Sequence, residues 1–394
     1  MNIRHQSLSL TSSFLACLLL VLALSWLPVR TASAALNDSL EAMVGQMLMI
    51  GFRGLDVEET CSVIQDIRAG RVGGVIIFDY DVELKSRVRN VASPEQLKNL
   101  VARLHAASPD VPLFVAIDQE GGRVNRLKET FGFPATVSKG WLGLQNDLTL
   151  TGEYSRQTAR MLAELGININ LSPVVDVNVN PGNPVIGMLE RSFSDNPHIV
   201  AEQAMAEILA HQAEGILTAL KHFPGHGSST TDSHLGFTDV TQTWTEIELE
   251  PYREILSSVG TDMIMTAHVF NAALDPDWPA TLSPAIMQGL LRDQMNYQGV
   301  IISDDMQMQA ITDHYSLEIA LKQTILAGAD IIIFGNNLVY DDGIAQKAQE
   351  IILGLVRDGR ISESRIQESY ERIMRLKTRL AARNNIACHR CDAF

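Results

Sequence analysis

Cysteine is scarce in this chain, with four in 394 residues, and no long block of one charge accompanies the net charge of −15. That charge speaks to solubility and argues against nucleic acid or an anionic membrane surface as partner. No internal repeat, low-complexity tract or Pro/Ser-rich linker follows Ala35, which excludes a solenoid and a string of small modules. The longest apolar run, Phe14 to Leu27, holds about fourteen residues where a bilayer span needs roughly twenty.

What is there begins with a leader. Arg4 and His5 precede the apolar run, and Ala32-Ser33-Ala34 supplies the small-x-small pattern that signal peptidase cuts after. Residues 1–34 are read as a signal peptide. Export follows, to the periplasm or the medium, with no stable membrane span after cleavage; a single membrane anchor is the competing reading. Cys17 lies inside the apolar run, whereas a lipid-acceptor cysteine would end it. Cys61, Cys388 and Cys391 then remain, an odd number that leaves one thiol free or paired between chains. Cys388-His389-Arg390-Cys391 stands beyond the last helical pattern instead of opening a helix after a strand, so residues 386–394 read as a flexible tail, with or without a local disulfide.

Between the two lies one domain, residues 35–385, in which short apolar runs alternate with patterns of helical period. Eight runs are strand candidates: Met47 to Phe52, Gly74 to Phe78, Leu113 to Ile117, Ile169 to Val175, Ile216 to Lys221, Met263 to Ala267, Val300 to Ser303 and Asp330 to Phe334. Helices are expected from Pro94 to Ala107 with Ser93 as N-cap, from Ser155 to Leu165, and over about 199–214, 247–258, 284–295, 316–326, 343–356 and 362–382. Eight such units predict an α/β fold, a (β/α)8 TIM-type barrel with C-terminal helices, whose chemistry gathers at the strand C-termini. Polar residues stand at those ends: Asp118-Gln119-Glu120, Asp176, Lys221-His222, His268, Asp304-Asp305 and Asn336.

The most informative stretch is Lys221-His222-Phe223-Pro224-Gly225-His226-Gly227, followed by a loop that ends in Asp232-Ser233-His234. It resembles the signature of family 3 glycoside hydrolases of the bacterial β-N-acetylglucosaminidase (β-N-acetylhexosaminidase) type. The resemblance implies that His234 is the general acid/base and that Asp232 orients its imidazole. It also implies that Asp304, in Ser303-Asp304-Asp305-Met306, is the nucleophile. The chemistry is coherent: a retaining glycosidase needs a carboxylate on one face of the anomeric carbon and a proton donor at the leaving oxygen. An imidazole with a reference pKa of about 6.5 is poised for the second task. Asp305 points the other way if the strand continues and reads as a structural partner.

Sugar-binding roles follow from the same resemblance. Asp118 and Arg126 are carried by Asp118-Gln119-Glu120-Gly121-Gly122-Arg123-Val124-Asn125-Arg126, and Lys221 and His222 by the main motif. Arg191 follows a segment like the family's N-P-V-I-G-x-R-S-F, but Met188, Leu189 and Glu190 stand where that pattern has one residue. Arg123 and Glu120 are alternatively a buried pair, and His226 is given only support. The substrate implied is a β-linked N-acetylglucosamine at a non-reducing end, in peptidoglycan fragments or chitooligosaccharides, cleaved by double displacement without a cofactor or metal. Three alternatives stay open: a phosphorylase, a metal-dependent hydrolase using His222, His226 and His234, and a non-catalytic sugar-binding protein. The spacing of those histidines matches none of the common zinc patterns.

Overall fold

The computed structural model describes residues 39–391, with side chains as far as position 381. The expected signal peptide and residues 392–394 of the expected tail lie outside the described residues. The domain is described from Ser39 onward.

Eight strands form where the apolar runs stand: β1 (Leu48–Gly51), β2 (Gly74–Ile77), β3 (Phe114–Ile117), β4 (Ile169–Asn170), β5 (Leu217–Phe223), β6 (Met263–Thr266), β7 (Val300–Asp305) and β8 (Ile331–Phe334). They close into a barrel in chain order, with β8 paired back on β1, and every neighbouring pair is parallel. Strands covered by helices outside and packed against one another inside have no wet face. That is why they read as unbroken apolar runs such as Gly74-Val75-Ile76-Ile77 and Ile331-Ile332-Ile333, every residue of which is buried.

β4 falls furthest short of its apolar run, Ile169 to Val175. β4 ends at Asn170, because Pro173 has no N–H to give the ladder, and pairing resumes only as a single bridge between Val174 and Lys221. The helices depart more often. Asp147 accepts from the amides of Thr149 and Leu150, so the helix expected from Ser155 begins at Leu148 and runs to Leu165. The helix expected over 284–295 is wound as a π-helix, Ala285–Gln294. Short helices Leu40–Gln46, Ser62–Arg68, Lys139–Gln145 and Gln309–Thr312 had no periodic signal long enough to be seen. Ser93 caps Pro94–Ala106 as expected, accepting from Gln96 N.

The last helix, Glu363–Cys391, runs past the expected end near Ala382, carried by good helix formers from Arg379 to Arg383. It crosses the N-terminal pole of the barrel. There Lys377, fully buried, reaches Gln46 Oε1 at 2.6 Å and the Gly73 carbonyl at 2.8 Å, over the ring of Phe114. Cys61 is a free, half-buried thiol at the start of Ser62–Arg68. Among the described residues no helix is long and apolar enough to cross a membrane.

Candidate active site

The opposite pole, at the strand C-termini, holds a cavity of about 340 Å³, within the range of small-molecule sites. Asp118, Arg126, Arg191, Lys221, His222, Asp232, His234 and Asp304 all line it. The structure therefore brings together every residue given a catalytic or sugar-binding role in the sequence analysis, from four βα units.

Its floor is an ion network. Lys221 is 2% exposed, and its Nζ lies 2.6 Å from Asp118 Oδ1 and 2.7 Å from Glu120 Oε1. Arg191 grips Glu120 with two parallel bonds of 2.8 Å, from Nε and Nη2. The same guanidinium donates to the Val185 carbonyl and comes within 3.3 Å of His222 Nε2. Burial opposes every one of these charges, yet the partners outweigh it. Asp118 and Glu120 are held below the usual carboxylate range, and Lys221 and Arg191 above their ordinary values. Arg126 stands further off, 3.6 Å from Asp118 and 3.7 Å from Asp79. The pair expected between Arg123 and Glu120 does not form, since Arg123 is exposed and Glu120 takes Arg191 from another loop. The longer loop of Met188, Leu189 and Glu190 does not displace Arg191; it places Leu189 in the cavity wall.

Asp176, completely buried, ties the wall behind His222. Its Oδ2 lies 2.6 Å from His222 Nδ1, and its Oδ1 accepts from the backbone amides of His222 and His226. Burial works against the Asp176 charge, but the two histidines keep its carboxyl low. His222 Nε2 is thereby left toward the cavity.

On the far side, Asp304 is the penultimate residue of β7 and half-buried, with its Oδ1 accepting from the Asp305 amide at 2.8 Å. Burial would raise its pKa, but His268, His222 and His234 pull it down to about 2, so the group is anionic. Asp305 has the structural part expected of it: its Oδ1 accepts from the amides of Gln307 and Gly335. Burial pushes it up to about 6. Two neighbouring carboxylates in unlike surroundings are thus set apart in acidity.

His234 sits at the mouth on residues 228–237, its side chain 49% exposed. Asp232 Oδ1 accepts from its Nδ1 and from its backbone N–H, both at 2.8 Å. Burial would lower the imidazole pKa, but the Asp232 bond and the Asp304 charge raise it. Nδ1 is thus occupied and Nε2 is left for the cavity. Gly225 has φ +124°, a region closed to other residues, and a Cβ on Gly227 would stand 1.7 Å from the Val177 carbonyl. The glycines of the motif are therefore there to turn the chain and press it against the barrel.

Of the histidines that could have shared a metal, His226 is turned away between Ser229 and Ser233, while His222 and His234 each give Nδ1 to a carboxylate, Asp176 and Asp232. Among the described residues no group of three or more His, Cys, Asp or Glu is arranged to hold a metal ion. Asp176 is the part of the site that the sequence reading left without a role, and Glu120 was read there only as an alternative partner of Arg123. Only their place at strand ends pointed to them.

Residues 39–376 match the family model described as the glycosyl hydrolase family 3 N terminal domain. Beta-hexosaminidase A of Pseudoalteromonas piscicida is 34% identical, covering 86% of this chain and 61% of that protein. A beta-hexosaminidase of Nitrosomonas eutropha is 36% identical, covering 74% and 80%. Among solved structures, a glycoside hydrolase family 3 beta-N-acetylglucosaminidase from a Paenibacillus strain superposes with a TM-score of 0.79 at 36% identity, over 87% of this chain and 63% of that one. A beta-N-acetylhexosaminidase from Beutenbergia cavernae gives 0.77 at 28%, over 86% and 98%. The chain thus spans less than two thirds of the Pseudoalteromonas and Paenibacillus proteins.

Proposed function

Since the chain belongs to glycoside hydrolase family 3, we propose that it is an exported, retaining β-N-acetylglucosaminidase that releases non-reducing terminal N-acetylglucosamine from peptidoglycan fragments or chitooligosaccharides. The observation that carries the reading is the shared cavity: an anionic Asp304 on a strand end and an Asp232-oriented His234 line the same space. The names of the relatives support an acetamido sugar, and the leader-like first 34 residues support a place outside the cytoplasm.

In the first step an Asp304 oxygen bonds to the anomeric carbon as the glycosidic C–O bond breaks, and the Nε2 proton of His234 passes to the leaving oxygen. In the second, His234 takes a proton from water, the hydroxide oxygen bonds to the same carbon, and the ester to Asp304 breaks. Asp232 keeps the ring oriented and its tautomer fixed throughout. Lys221, Asp118, Arg126, Arg191 and His222 offer donors and acceptors to the sugar hydroxyls from a network that is already paired and so costs little to organise. Phosphorolysis is the second reading, because a histidine in the acid/base position brings no negative charge to repel phosphate.

Mass spectrometry of protein treated with a slow fluorinated N-acetylglucosaminyl donor tests the proposal. The expected adduct is one sugar on the peptide that contains Asp304. An adduct elsewhere, or turnover with no enzyme-bound sugar, overturns the double displacement. Assay with and without inorganic phosphate separates hydrolysis from phosphorolysis.

A further inference from the structure

His226 is the residue of the motif for which the mechanism has no use, yet it is 3% exposed and every polar atom of it is engaged. Its backbone N–H donates to Asp176 at 2.8 Å. Its ring lies between two serines of the loop that carries the acid/base pair: Nδ1 is 2.5 Å from Ser229 Oγ, and Nε2 is 3.1 Å from Ser233 Oγ. Ser229 has one hydroxyl proton, and its Oγ is also 2.8 Å from the His226 carbonyl, which can only accept. With the proton donated there, Ser229 accepts from Nδ1–H. Nε2 of the neutral ring is then an acceptor, and the Ser233 hydroxyl donates into it. Burial keeps the imidazole uncharged, with a pKa of about 4.

Ser233 stands between Asp232 and His234 in the chain. It is 2% exposed, while its two neighbours face the cavity mouth. The base of the loop is fixed: the Gly227 amide donates to Glu248 Oε2 at 2.7 Å, and Gly227 is pressed on the Val177 carbonyl. The far end is fixed as well, where Thr238 pairs with Val269 and the Phe237 ring lies 5.3 Å from that of Phe270. Between these anchors Thr230 and Thr231 are exposed. Two ties at Ser233 are therefore nearest to the acid/base pair: its hydroxyl turns inward to His226, and its carbonyl accepts from the Ala310 amide at 3.4 Å, the longer of the two bonds.

We propose that His226 is a positioning residue whose buried ring holds the Ser233 hydroxyl and so sets the place of the Asp232–His234 pair over Asp304. This rests on the catalytic reading of that pair given above.

The full-length enzyme tests this through Ser233→Ala, His226→Gln and the double variant, measured as kcat/KM on N,N′-diacetylchitobiose and on the activated 4-nitrophenyl N-acetyl-β-glucosaminide. Loss of one neutral hydrogen bond predicts about a tenfold drop for Ser233→Ala on chitobiose, and about twofold or less on the aryl substrate, whose leaving group needs no proton. The alkaline limb of the pH profile should move to lower pH, because His234 leaves the field of Asp304, an effect that a general loosening of the fold would not give. The double variant should be no worse than Ser233→Ala if the two residues act through one bond. An unchanged alkaline limb, or losses that multiply in the double variant, overturns the proposal. His234→Ala is the control that separates the two ideas: equal losses on both substrates sink the catalytic reading itself. A selective loss there, with wild-type behaviour of Ser233→Ala, sinks only the tie.

Discussion

The surroundings of His234 raise its pKa, and its pH behaviour follows from them. Asp232 and Asp304 raise its pKa against the effect of burial, and Asp304 itself is held near 2. The nucleophile must be ionised and the acid protonated, so kcat/KM should be flat on the acid side and fall as pH rises through a value above the ordinary 6.5 of histidine. Asp232→Ala removes one of the two raising groups, and the alkaline limb in a pH–rate series should move down. His234→Ala should lower kcat/KM on chitooligosaccharides by about 10²–10⁴-fold and spare activated aryl glycosides, as a comparison of leaving groups will read out. At this scale the sequence was most legible where the family resemblance names the residue, as in Asp304, His234 and Lys221, which the structure brings to one cavity. It was least legible where a residue acts through a partner. Glu120 was matched with nearby Arg123, but its partner Arg191 lies 71 positions away and only the closed barrel brings the two together.

The elements show the same division. The strands were readable because a buried parallel sheet tolerates little but apolar residues, and all eight runs became strands. Their ends were less so: Pro173 stops β4 within a run that looked continuous, and β7 carries its ladder through Ser303 to Asp305. The loops after β3 and β4 meet the end of β5 in one electrostatic knot, Asp118–Lys221–Glu120–Arg191. Removing one member of such a knot leaves an uncompensated buried charge, at a cost of about 3–5 kcal/mol. Glu120→Gln should accordingly lower the unfolding free energy by a few kcal/mol and raise KM, since Lys221 and Arg191 lose the carboxylate that orients them. Denaturant titration alongside steady-state kinetics will show whether the two effects come together.

For the whole molecule the informative residue is Lys377, buried under the barrel with neutral acceptors in place of a carboxylate. Burial lowers its pKa from 10.5 to about 7. Between those values the unfolded chain binds a proton that the folded chain does not, so this group makes the protein more stable as pH rises from about 7 toward 10.5. Below that window its penalty is constant and at its largest. Lys377→Met should flatten that slope and raise stability near neutral pH, as read from urea unfolding at several pH values. The closing helix was expected from its period, but nothing in its sequence marks Lys377 as the side chain turned inward.

That lysine and the sugar cavity occupy opposite ends of the same barrel, joined only through strands a few residues long. Hardening the base for use in heat or solvent, and reshaping the mouth for a different glycan, are therefore separable engineering tasks that one gene can carry at once.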